Sequence, residues 1–188
     1  IFYKDPTNND ADEWFEVTNT GGAPIDISGW KVTDAVVVTM PPGSVVPAGG
    51  RYVVGAAAGP TWFTTTYGFP PDATYTGKLS NNGETLTLLD SAGSVIDKVA
   101  YGVAAPWPGS PAGGGPSLEL RGLMSDNTDP ENWGASTVAL GTPKAVNTLD
   151  GTAPPPRVKD LTVTPAQPDP VAPVTITAKL PVGTNASL

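Results

Sequence analysis

Apolar and polar residues alternate in short runs along this chain, and nearly every run is closed by glycine or proline. Phe15 and Val17 alternate with Glu16 and Thr18, and Thr20-Gly21-Gly22-Ala23-Pro24 ends that run. A period of two places alternate side chains on one face of a strand. The chain holds 22 Gly and 22 Pro among 188 residues, about twice average usage. Each proline inside a helix costs about 3 kcal/mol, which argues against a helical bundle. The hydrophobic share is 39% with five Trp, more apolar material than a disordered chain carries. What remains is an all-β protein of short strands and tight turns.

Further strands are expected over Ile25–Val32, with a bulge or bend at Gly29, over Ala35–Met40 and over Arg51–Gly55. In the first of these, Ile25 and Ile27 share one face by alternation. Ala56 to Pro71 holds at most one or two helical turns within a loop, because Gly59, Pro60 and Thr64-Thr65-Thr66 oppose a longer helix. The pair Asn82-Gly83 tolerates positive φ and predicts a tight turn into Thr85–Leu89. Asp90-Ser91-Ala92-Gly93 then folds Ser94–Tyr101 back as a hairpin partner. Ser117–Arg121 is one more short strand, whereas Asp126–Gly134 reads as polar loop.

Near residue 150 the texture changes. The expected organisation is one domain over 1–149, a Pro-rich linker over 150–157 and an incomplete β segment over 158–188. Val158–Thr164 and Val174–Ala178 alternate, but two strands cannot hold a core alone. Leu161, Val163, Val174 and Ile176 would leave apolar faces in water. The tail is therefore expected either to pack on its own sandwich or to augment a sheet of a neighbouring chain.

Absences narrow the chemistry. The chain has no His and no Cys, so Ser-His-Asp catalysis, Cys nucleophiles and His- or Cys-bound zinc are excluded. A formal net charge of −8 disfavours nucleic acid and anionic lipid. The stretch Ala35–Met40 is too short to span a bilayer. Asp5, Asp10, Asp12 and Glu13 interrupt the first 20 residues, so no signal peptide is read there.

The motifs then fall into a familiar order. Asp12-Glu13-Trp14-Phe15-Glu16-Val17-Thr18-Asn19 is followed by Ile25-Asp26-Ile27-Ser28-Gly29-Trp30-Lys31-Val32. Next come Pro47-Ala48-Gly49-Gly50-Arg51-Tyr52-Val53-Val54 and the run Leu79 to Tyr101. Ser117-Leu118-Glu119-Leu120-Arg121, Asn132-Trp133 and Gly141-Thr142-Pro143 close the series. Over roughly residues 1 to 148 this resembles the bacterial lamin-tail domain, with a first strand shorter than the family usually has. The tail is similar to the opening strands of an Ig-like or fibronectin-like module. The resemblance implies an immunoglobulin-like β-sandwich with a short C-terminal β extension, and no catalytic residues. It also implies a non-catalytic structural or interaction module of a secreted or cell-surface bacterial protein. Such a module could serve as subunit of an extracellular fibre or surface assembly, with other copies of itself as partners through the C-terminal strands. The alternative is an accessory module, binding carbohydrate or protein, of a larger extracellular hydrolase or nuclease.

Four features carry sharper readings. Asp5, Asp10 and Asp12 supply oxygens that calcium could use, as do Asp126, Asn127 and Asp129. A solvated acidic turn is the plainer reading of both. Glu16 and Glu119 could form an acid/base pair, but their strand positions suggest exposed strand faces. Trp14 and Trp30 belong to strands, whereas Trp62 and Trp107 in loops are the better candidates for an exposed sugar platform. The sequon Asn185-Ala186-Ser187 is taken as chance. No catalytic, cofactor or metal residue, and no cofactor, is assigned.

Overall fold

The computed structural model describes residues 1–34, 36–154, 159–167, 171 and 173–179. The sequon at 185–187 and residues 155–157 of the Pro-rich linker lie outside them. The chain divides into two compact units, Ile1–Ala153 and Pro154–Leu188.

The first unit is an all-β, immunoglobulin-like sandwich. Its elements in chain order are β1 (Trp14–Thr18), β2 (Ile25–Asp26), β3 (Lys31–Thr33), β4 (Val36–Thr39), β5 (Val45–Val46), β6 (Arg51–Ala56), α1 (Pro60–Tyr67), β7 (Ala73–Gly77), β8 (Glu84–Leu89), β9 (Val95–Tyr101), β10 (Pro116–Leu120) and β11 (Trp133–Ala139). A curled seven-stranded sheet runs β1-β6-β7-β4-β3-β8-β9, beside the two-stranded sheets β10-β11 and β2-β5. One core cluster gathers Tyr3, Phe15, Val32, Val54, Tyr75, Leu86, Tyr101 and Leu118 from both layers. A second packs Phe2, Trp14, Val53 and Phe63 beside α1.

The helix follows from connectivity. β6 and β7 are parallel, and parallel neighbours need a crossover rather than a hairpin. α1 supplies it in eight residues, with Pro60 in its first turn and Gly68 at φ 82° as its C-cap. Proline at the start and a left-handed glycine at the end are the expected stops.

Two expectations change. Ile25 to Val32 is not one bent strand but two strands in different sheets, with Gly29 at φ 76° between them. Ser28 N–H donates to Asp26 Oδ1 and Trp30 N–H to the Ile27 carbonyl. That turn breaks the alternation, so Ile27 is buried while Ile25 is exposed. The stretch read as polar loop up to Gly134 runs into β11, where Trp133 and the small residues Gly134 and Ala135 pair with β10. The β8–β9 hairpin forms as expected, with Leu86 opposite Val99 and Glu84 opposite Tyr101.

The second unit contains β12 (Lys159–Thr164) and β13 (Thr175–Lys179), paired antiparallel with Val163 opposite Ile176.

Candidate interaction surfaces

The acidic loop turns its carboxylates on itself. Asp5 is buried, and its Oδ1 accepts from Thr7 N–H at 2.6 Å, Thr7 Oγ1 at 2.5 Å and Asn9 N–H at 3.2 Å. Asp12 Oδ1 accepts from Asn9 Nδ2 at 3.0 Å, and Asp10 pairs with Lys78 at 3.2 Å. Asp126 caps Thr128, Asp129 caps the 3-10 turn Pro130–Asn132, and Asn127 donates to Asp97. Among the described residues no three acidic side chains converge as metal ligands would.

Glu16 and Glu119 are not on exposed faces. Glu119 is 3% exposed and the Glu16 side chain 11%. Glu16 Oε1 lies 3.2 Å from Arg51 Nε, and Oε2 accepts from Lys144 N–H at 2.6 Å. Glu119 accepts from Thr142 Oγ1 at 3.3 Å and Thr148 Oγ1 at 2.8 Å. All four oxygens are engaged, and three of them hold the 142–148 segment against the sandwich. Alternation misled here because the strands are covered on both sides. Burial raises Glu16, opposed by the Lys144 N–H and by Arg51.

The tryptophans form no exposed row. Trp14 is buried and its Nε1 donates to Tyr67 Oη at 3.0 Å. Trp62 is half-buried, parallel to Phe2 at 6.4 Å and edge-on to Tyr67 at 5.9 Å. Trp107 is half-buried 6.0 Å from Trp133 and packs on the core, as Trp30 does. Aromatic pairs at these separations contribute about 0.5–1.5 kcal/mol beyond area burial. The expected exposure of Trp62 and Trp107 is therefore corrected.

Glu13 escaped the sequence reading, which placed it in a solvated acidic loop. It is 2% exposed. Its Oε2 accepts from Leu79 N–H at 2.7 Å and Tyr75 Oη at 3.3 Å, while Oε1 is buried without a partner. Burial pushes its carboxyl up to about 8. The Tyr3 hydroxyl, also buried without a partner, is pushed up to about 12 by burial.

The family model of the lamin tail domain matches residues 1–103, from the first buried residues through β9. The chain belongs to the lamin tail domain family. That family is an immunoglobulin-like fold, generally an interaction module, and non-catalytic. No curated protein matches this chain. In this lamin tail domain the family motif residues do structural work. Phe15 fills the core, Glu13 and Glu16 anchor neighbouring backbone, and Asn19 clamps two loops. Beyond residue 103, β10 and β11 pair with each other inside the same compact unit.

The surfaces left open differ in character. In the lamin tail domain β9 ends the seven-stranded sheet. Beside it a groove of about 690 Å³ is lined by Leu86, Leu88, Ile96, Val99, Leu118 and Met124. Val95, Ile96 and Met124 are 62%, 49% and 85% exposed. In the second unit Leu161, Val163, Val174 and Ile176 are 63%, 40%, 44% and 67% exposed. The first unit carries 7 basic and 16 acidic residues, a net charge of −9. Residues 154–188 carry 3 basic and 2 acidic, a net charge of +1.

Proposed function

We propose that this lamin tail chain is a non-catalytic structural module of a secreted or cell-surface protein, which associates with other copies of itself through its C-terminal strands. The observation that carries the reading is the apolar face of the β12–β13 hairpin. Val163 and Ile176 are cross-strand partners, and Leu161 and Val174 extend the same alternation, all of them exposed. A two-stranded hairpin is marginal in water by itself, and its two edges recruit further strands. A net charge of −8 with no His or Cys supports a protein partner over nucleic acid and a scaffold over a catalyst. A subunit that donates strands head to tail builds an open chain, which suits an extracellular fibre or surface array.

Sedimentation velocity of the whole chain over a wide concentration range tests this. The expected result is a weight-average coefficient that climbs with concentration and stays low in Val163→Asp/Ile176→Asp. A constant monomer value in both proteins overturns it.

A further inference from the structure

We infer that the β12–β13 hairpin of one copy docks on the β9 edge of a second copy, with its apolar face over the mouth of the groove beside β9. The inference rests on self-association through the tail and names the surface that receives it. β9 is the open end of the seven-stranded sheet and spans Val95–Tyr101. The hairpin strands, Lys159–Thr164 and Thr175–Lys179, are of comparable length, so backbone pairing along the edge matches in extent. An added strand gains main-chain hydrogen bonds from the edge and specificity from alternate side chains.

The side chains on the two surfaces correspond. Ile96 and Met124 at the groove and Val95 at the start of β9 are exposed, and so are Leu161, Val163, Val174 and Ile176 on the hairpin. Clustered apolar surface of this kind on a soluble domain marks a contact site. Charge points the same way. The acceptor unit has a net charge of −9 and the tail +1, with Asp97 and Asp126 lining the groove. Lys159 and Lys179 are register partners at one end of the hairpin. Two whole copies repel each other at −8 each, and contact through the +1 tail lowers that repulsion relative to contact between two acceptor units.

The edge is guarded in the free copy. Lys98 N–H donates to the Asp97 side chain at 2.7 Å, and Asn127 Nδ2 donates to the same oxygen at 2.8 Å. An incoming strand must displace that carboxylate to reach the N–H, so docking is reversible and concentration-dependent. The donor and acceptor surfaces differ, which makes the contact heterologous and non-closing.

The chain has no cysteine, which makes disulfide trapping clean. Equal amounts of Ile96→Cys and Ile176→Cys, mixed under mild oxidation, should yield a mixed disulfide well above the statistical half of all dimers. Ile96→Lys, at a half-exposed position, should weaken association tenfold or more, read by light scattering, while its circular dichroism stays unchanged. Absence of any association overturns both this inference and the proposed self-association. Association that persists in Ile96→Lys, with disulfides at statistical proportions, overturns only the assigned surface. A doubly substituted chain that closes its own disulfide as a monomer at every dilution also overturns it.

Discussion

A Cβ built on Gly83 would lie 2.6 Å from the carbonyl oxygen of Tyr101. Gly83 has φ 93° and closes the turn that launches β8, and Tyr101 is the last residue of its partner β9. Two constraints therefore meet at one position. A side chain pays the left-handed penalty of about 1–2 kcal/mol, and backbone must also move to admit it. Gly83→Val is expected to destabilise by about 2 kcal/mol or more. A urea unfolding midpoint equal to that of the parent would show that the turn tolerates a side chain.

Glu13 makes stability fall as pH rises. Its carboxyl titrates near 8 in the fold, against about 4.3 in an unfolded chain. Above pH 4.3 the unfolded state releases this proton while the folded state keeps it. The unfolded state is then favoured progressively up to about pH 8, where the loss levels off. Glu13→Gln removes this contribution. The variant should match the parent near pH 4 and exceed it at pH 8 by on the order of 2–4 kcal/mol. Thermal melts from pH 4 to 8 check this, and parallel curves for the two proteins would contradict it.

Asn19 ties two loops together. Its Nδ2 donates to the carbonyls of Ala23, Val46 and Pro47 at 2.8, 3.1 and 3.0 Å, and its Oδ1 accepts from Gly21 N–H at 2.9 Å. The side chain is buried, so its loss strands acceptors away from water. Asn19→Ala is expected to cost about 2–3 kcal/mol, while Ser91→Ala, at an exposed turn position, should cost under about 0.5 kcal/mol. Equal chemical-denaturation midpoints for the two variants would refute the clamp.

Much of the sandwich is legible in the sequence where the signal is local. Asn82-Gly83 sets the β8–β9 turn, and period-two runs mark β1, β6, β8 and β9. The rest depends on contacts distant in sequence. β7 is a short Thr-Tyr-Thr run whose pairing with β6 and β4 comes from the crossover through α1. β11 is built from small and polar residues that alternate weakly. Glu16 and Glu119 look like surface strand residues because the segment that covers them, 142–148, arrives from far along the chain. Glu13 hides in an acidic loop because its partners, Tyr75 and Leu79, are more than 60 positions away.

The mass of the particle in solution tests the central claim most directly. Light scattering should be measured over rising concentration on residues 1–188 and on a chain ending at Ala153, the boundary of the first compact unit. The account predicts a mass for the full chain that climbs with concentration, and a monomer at all concentrations for the chain ending at Ala153. A full chain that stays strictly monomeric beside its shorter form, with the tail amides exchanging freely, would contradict it.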